Sequence, residues 1–196
     1  MIRFDERTAL VVVDMQNDFA DPAGSLVVDG GLGIVPAVNH AIGEAVAAGA
    51  VVVVTQDWHP EATPHFVTDG GVWPVHCVGG TWGAELRPDV RVPTDAIRVR
   101  KGTGGEDGYS AFTVRDPVTG ETDATELEAA LRRRGVERVV ACGLATDYCV
   151  KETALDAVRL GFEVSLLGAA VAAANLDPDD GSRALDEMAD AGVRIG

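Results

Sequence analysis

At 196 residues, with 46% hydrophobic and 24% charged side chains, the sequence has the composition of one soluble globular domain, 1–196, and is too apolar to be disordered. Sixteen Lys and Arg against thirty-one Asp and Glu leave a net charge of -15, a field that repels phosphate backbones and anionic lipid, so neither nucleic acid nor a membrane is expected as a partner. Three cysteines cannot all pair within one chain, and no stretch has the form of a secretory signal or membrane span, so the expected setting is the reducing cytoplasm.

The first apolar run, Leu10 to Val13, is short and does not alternate, as expected of a strand covered on both faces. Asp14 follows it directly, in Val-Val-Asp-Met-Gln-Asn-Asp-Phe, where a buried strand opens; it serves either a turn or a ligand. Gly30, Gly31 and Gly33 lead into a helix predicted over Ile34 to Ala48. They lack the further glycine in register that a dinucleotide fingerprint requires, so they are read as a turn. Gly49 supplies the helix stop, and His40 within the helix is read as structural.

A second run, Val51 to Val54, leads to Asp57 and His59 in Thr-Gln-Asp-Trp-His-Pro. Residues two apart in an extended segment point the same way, so this carboxylate and imidazole share a face. The stretch from Pro60 to Pro93 holds five of the nine prolines and no clear periodicity, yet its Phe66, Trp73 and Trp82 argue for an ordered, functional loop. His65 and His76 lie within it, so three of the four histidines of the chain fall between 59 and 76. Loop histidines are commonly only solvated. Gathered beside Asp57 they offer one carboxylate and up to three imidazoles, a set that suits Zn²⁺, Fe²⁺ or Mn²⁺ with positions left open for water or substrate. Cys77 is expected to pack, with a soft-ligand role as the alternative.

The third run, Ala96 to Val99, is closed by Lys101, which is either solvated or placed to hold a neighbouring aspartate ionised and to acidify a thiol. After an acidic, glycine-rich stretch, Gly102 to Gly108, come a helix over Thr125 to Arg134 and a fourth run, Val139 to Ala141, with Cys142 read as a buried strand residue. That run turns abruptly into a helix over Asp147 to Leu160, with Thr146 or Asp147 as its cap. Cys149 then sits in the first turn, where unpaired N–H groups and the helix dipole favour a thiolate and suit an oxyanion; for a lone cysteine the competing reading is burial. A strand at Val164 to Leu167 and a helix at Ser182 to Ala191 complete the pattern. Strand and helix alternate, predicting a three-layer αβα fold with a mostly parallel, Rossmann-like sheet that binds ligand beyond the carboxyl ends of its strands. Asp14, Asp57, Lys101 and Cys149 each fall at the end of a different predicted strand, which makes their combination specific.

The segments Val-Asp-Met-Gln-Asn-Asp-Phe at 13–19, Asp-Trp-His-Pro at 57–60, Trp-Pro-Val-His-Cys-Val at 73–78, Lys-Gly at 101–102 and Gly-Leu-Ala-Thr-Asp-Tyr-Cys-Val at 143–150 occur in this order. Together they resemble the nicotinamidase/pyrazinamidase family of the isochorismatase-like cysteine hydrolases, over nearly the whole chain. The resemblance implies an isochorismatase-like hydrolase fold, a catalytic triad of Asp14, Lys101 and Cys149, and metal ligands Asp57, His59 and His76 with His65 as a further one. It implies an oxyanion hole from the N–H groups of Ala145 and Cys149, a cis peptide at Leu144-Ala145, and aromatic pocket walls from Phe19, Trp73 and Tyr109. One divalent metal per chain is implied, Zn²⁺ ahead of Fe²⁺ or Mn²⁺, and no organic cofactor. Isochorismatase and carbamoyl-amine relatives are not expected to keep the metal set, so its presence favours the nicotinamidase branch.

The implied reaction is deamidation of nicotinamide, and of pyrazinamide, to the acid and ammonia through a Cys149 thioester, a step of NAD salvage. The small-molecule substrate is the partner expected, and a homo-oligomer is left open. The rival readings are a hydrolase of a carbamoyl or ureido compound or an enol ether on the same scaffold, and a non-catalytic metal or redox protein, which leaves Asp14 and Lys101 without a role. The Gly102 to Gly108 stretch departs from the pattern.

Overall fold

The computed structural model describes residues 2–196. The elements run β1 (Thr8–Val13), α1 (Asn17–Ala20), α2 (Val35–Ala47), β2 (Val51–Asp57) and β3 (Ile97–Lys101), then β4 (Thr113–Arg115), β5 (Thr122–Ala124), α3 (Leu127–Arg133), β6 (Arg138–Leu144), α4 (Lys151–Arg159), β7 (Glu163–Ala172), α5 (Asp180–Asp190) and β8 (Arg194–Ile195). Six strands form one parallel sheet in the order β3-β2-β1-β6-β7-β8. From β1 the chain moves outward through β2 to β3, then returns to β6 on the other side of β1. The strand order therefore reverses between β1 and β6, and the crevice beyond their carboxyl ends is where such sheets bind ligands.

Both faces of the sheet are covered. Leu10 and Val12 of β1, Val52 and Val54 of β2 and Val140 and Cys142 of β6 pack with Val38, Ile42 and Ala45 of α2. Ala9, Val11 and Val13, displaced by one residue, face the opposite way onto Leu131 of α3 and Ala154 and Ala157 of α4. A period of two puts adjacent residues on opposite faces, and covering both removes any need for polar alternation, hence the unbroken valine runs. Each large aliphatic side chain buried this way contributes about 1.5–3 kcal/mol. Gly143 lets β6 approach β1 closely at the crevice, since a Cβ there would lie 2.1 Å from the Val13 carbonyl oxygen.

The expected strands and helices are present, and Gly30 and Gly31 lead into a 3₁₀ turn, Leu32–Ile34, which contains Gly33 and precedes α2. Three details differ. The run closed by Lys101 is an edge strand rather than one covered on both faces: Arg98 and Arg100 point outward while Ile97 and Val99 are half-buried. Outward charge on an edge discourages pairing with another chain. The hairpin of β4 and β5 was not anticipated; at its turn the Asp116 carboxylate accepts the N–H groups of Val118 and Thr119, at 2.7 and 2.8 Å.

The third difference is the cap before α4. Ala145, not Thr146 or Asp147, precedes the helical turn, which is a single wide π-type turn over Thr146–Val150. The Asp147 carboxylate instead accepts the N–H groups of Ala174 and Asn175, each at 2.8 Å, tying this turn to the segment after β7. The Leu144-Ala145 peptide is cis, as implied. Among the described residues no helix is long and apolar enough to cross a membrane.

Candidate active site

Asp14 leaves the end of β1 with a positive φ of 46° and is fully buried. Thr55 of β2 closes a ring with it. The Asp14 N–H donates to Thr55 Oγ1 at 3.1 Å, and that hydroxyl donates to Asp14 Oδ1 at 2.5 Å. Lys101, the last residue of β3 and 0% exposed, reaches across β2 to donate to Asp14 Oδ2 at 2.7 Å. Its ammonium also donates to the carbonyls of Gly108 and Tyr109 and lies 2.9 Å from Asp57 Oδ1, without hydrogen-bond alignment to that oxygen. Asp57 and Lys101 are register partners at the ends of β2 and β3. A buried ammonium between two carboxylates is tolerated because pairing offsets a desolvation cost of several kcal/mol per ion.

Cys149 lies in the π-type turn, and one donor atom from each of Asp14, Asp57 and Cys149 falls within 4.8 Å of the other two. Burial raises the Asp14 carboxyl to about 6 against the downward pull of Lys101. Burial disfavours the Lys101 ammonium, yet Asp14 and Asp57 together hold it charged, well above the usual lysine value. Burial also drives the Cys149 thiol well above its ordinary value; Lys101 opposes this and the two carboxylates reinforce it. Burial and the two carboxylates thus act against the thiolate that the helix dipole favours.

The three imidazoles gather on the other side. His59 follows β2, His65 and His76 come from the long connection to β3, and one ring nitrogen from each falls within 4.8 Å of the others. Asp57 Oδ2 lies 3.9 Å from His59 Nε2 and 4.0 Å from His76 Nε2, so one carboxylate faces Lys101 with one oxygen and the imidazoles with the other. His76 Nδ1 is 2.7 Å from the Pro74 carbonyl and His65 Nδ1 is 2.6 Å from Asp107 Oδ1, while both nitrogens of His59, 1% exposed, have no hydrogen-bond partner. Burial lowers His59 to about 4 and depresses His76 as well.

These features fit a divalent metal. Buried polar nitrogens without partners are rare in folded proteins, neutral imidazole is the ligating form, and metal-bound histidines characteristically give their second nitrogen to a carbonyl or carboxylate.

Between the two sides lies a cavity of about 90 Å³, lined by Phe19, Trp73, Tyr109, Tyr148, His65, His76, Asp57, Ala145 and Cys149 and by apolar side chains at its mouth such as Val27 and Leu176. The Trp73 indole N–H donates to the Tyr109 hydroxyl at 2.8 Å, and the Trp73 ring meets Tyr148 edge-on at 5.0 Å. A mostly apolar cavity this small suits a small flat molecule.

The isochorismatase domain model matches residues 8–196. The chain belongs to the isochorismatase family. Within it the chain sides with the nicotinamidase/pyrazinamidase branch: it is 39% identical to the nicotinamidase/pyrazinamidase of Mycobacterium tuberculosis, over 95% of this chain and 97% of the relative. The pyrazinamidase of Pyrococcus horikoshii, solved in complex with zinc, is similar at 45% identity and a TM-score of 0.87, over 97% of this chain and 98% of that one. An L. infantum protein solved in complex with nicotinate is similar at 38% identity and a TM-score of 0.89, over 100% of this chain and 95% of that one.

In this isochorismatase-family chain every site residue singled out from the sequence borders the cavity or one of its two polar clusters. His40 lies apart on α2, 3.7 Å from Glu44, and Cys77 and Cys142 are buried outside the imidazole cluster. Four residues at the site were not assigned a part: Gln16, Thr55, Asp107 and Tyr148. Thr55 stands two residues before Asp57 on one strand, a spacing that puts both on one face and was available as a signal. Gln16 has no such signature. Its side chain accepts the Asp57 N–H and donates to the carbonyls of Asp57 and Ala84, all at 2.8–2.9 Å, contacts that only folding creates.

Proposed function

We propose that this chain is a metal-containing cysteine amidohydrolase that converts nicotinamide, and pyrazinamide as well, to the corresponding acid and ammonia. One observation carries the reading: a single small cavity is lined by Cys149, with the Asp14 and Lys101 pair behind it, on one side and by His65 and His76, whose cluster His59 completes, on the other. The names of its relatives, a nicotinamidase/pyrazinamidase and a pyrazinamidase solved with zinc, support it.

Burial pushes the Cys149 thiol up, so its attack calls for a base, and Asp14 is the carboxylate at hand. Asp14 takes the thiol proton as Cys149 Sγ attacks the carboxamide carbon. Lys101 holds Asp14 in orientation and compensates its charge while it is ionised. The N–H groups of Ala145 and Cys149 receive the oxyanion; Tyr148 and Val150 both donate to the Ala145 carbonyl at 3.1 Å, leaving the intervening Cys149 N–H outside that pairing. As the C–N bond breaks, Asp14 passes its proton to the departing nitrogen, and ammonia leaves a Cys149 thioester. Water then attacks the thioester carbonyl while Asp14 removes its proton, and Asp14 gives that proton to Cys149 Sγ as the C–S bond breaks, which restores the thiol and releases the acid. A carboxyl near 6 is suited to serve as base and acid in turn.

His59, His65 and His76, with Asp57, would hold the metal, Zn²⁺ before Fe²⁺ or Mn²⁺; when bound it supplies an acceptor for the ring nitrogen and anchors the ring with its carboxamide toward sulfur. Phe19, Trp73 and Tyr109 flank the ring and select a flat one.

Ammonia release measured on nicotinamide, pyrazinamide and a ureido acid, together with metal content, tests the proposal. Turnover of the two pyridine-like amides with about one metal per chain is expected. Turnover of the ureido acid alone would reassign the substrate, and no turnover of any of them would remove the catalytic reading.

A further inference from the structure

The glycine-rich stretch after Lys101 lies against both polar clusters. A Cβ at Gly102 would sit 2.6 Å from the His59 ring, and one at Gly108 would sit 2.6 Å from Lys101 Cβ, so glycine here is what allows the backbone to pass between an imidazole and the lysine stem. The loop is tied down at several points. The Gly105 carbonyl accepts Thr63 Oγ1 at 2.8 Å, and Asp107 exchanges both backbone hydrogen bonds with Arg115 of β4, at 2.7 and 3.0 Å. The next two carbonyls, of Gly108 and Tyr109, accept from the Lys101 ammonium.

One side chain of this loop points into the imidazole cluster. Asp107 Oδ1 is 2.6 Å from His65 Nδ1, with both side chains largely buried at 14% and 4% exposure. We propose that Asp107 is a positioning residue for the metal: its carboxylate accepts a hydrogen bond from His65 Nδ1–H, fixes the ring's tautomer and rotation, and leaves Nε2 as the donor. The inference rests on reading His59, His65 and His76 as metal ligands.

A carboxylate behind a ligating imidazole strengthens it as a donor, and loss of such a partner typically costs about 10–100-fold in metal affinity. His76 has only the Pro74 carbonyl in the equivalent place and His59 has nothing, so His65 is the one imidazole of the cluster backed by a charge. The backbone of Asp107 is fixed independently by β4, so truncating its side chain leaves the loop's main anchor in place.

The test is a Zn²⁺ titration of the metal-stripped protein against a chromophoric chelator, with Co²⁺ visible absorption as a second readout. Asp107→Ala is expected to weaken Zn²⁺ about 10–100-fold and to alter the Co²⁺ bands. Asp107→Asn, which keeps an acceptor oxygen in reach, should recover part of the loss. In a His65→Ala background Asp107→Ala should cost nothing further. Equal Zn²⁺ affinity for Asp107→Ala and the parent would overturn the proposal, as would the same loss with His65 already removed, which would indicate a purely structural role. A parent protein that takes up no Zn²⁺, or one whose affinity is untouched by His59→Ala, would instead sink the metal reading and this inference with it.

Discussion

Asp14, Asp57 and Lys101 stand at the ends of three neighbouring parallel strands, whereas His65 and His76 come from a connection whose only regular element is the 3₁₀ turn Val67–Asp69. The strand-end side is held by the same packing that holds the sheet: the register of β2 on β3 sets Asp57 beside Lys101, and the Thr55 ring orients Asp14. The imidazole side must be assembled from separate contacts, Pro74 behind His76, Asp107 behind His65 and Trp73 onto Tyr109. The proposed reaction accounts for this division of labour. In it, proton transfer between thiol and carboxylate tolerates little displacement and falls to rigid elements, while anchoring one end of a flat ring is a task a well-tethered loop can perform.

The comparison can be broken most severely at sulfur. Cys149→Ala should reduce ammonia release by on the order of 10⁴-fold or more while circular dichroism and cooperative unfolding persist; substantial residual turnover would exclude the thioester.

Lys101→Met probes the strand-end side as structure. It leaves Asp14 and Asp57 buried without their cation, and urea denaturation should register a loss of about 3–5 kcal/mol alongside loss of activity. His76→Ala probes the other side and should show the reverse balance, with metal content and activity falling together and stability to urea changing by no more than about 1–2 kcal/mol. Comparable destabilisation by the two would erase the distinction between a sheet-borne and a loop-borne half.

The smallest effect is expected at Thr55. Thr55→Val keeps the shape but removes the hydroxyl between the Asp14 N–H and its carboxylate, a loss of about 1–2 kcal/mol in stability and a fall in kcat larger than any change in KM. Thr55→Ser should restore both, since it returns the donor.

Much of this was legible before folding. The valine runs, the helical periodicities and their closing glycines marked the main elements, because a strand covered on both faces and a helix covered on one have different apolar periods. Asp14, Asp57, Lys101 and Cys149 could be picked out because each follows such a run, and His59, His65 and His76 because histidine is otherwise nearly absent from the chain. The edge position of β3 was also written in the alternation of Ile97, Arg98, Val99 and Arg100, which reading the segment as one apolar run obscured. The β4–β5 hairpin was harder to see, as three-residue strands are too short to show a period.

Sequence alone thus determined the fold class, the ends of the strands and the inventory of reactive side chains, since these follow from local pattern and residue chemistry. The tertiary structure decided what surrounds those side chains: burial and two carboxylates that push the Cys149 thiol upward where a helix terminus alone favours a thiolate, an aspartate whose two oxygens face a lysine and two imidazoles, and a glycine-rich loop whose Asp107 stands behind His65. Charge, burial and hydrogen-bond partners depend on residues tens of positions apart in the chain, and only the folded sheet brings them within reach of one another.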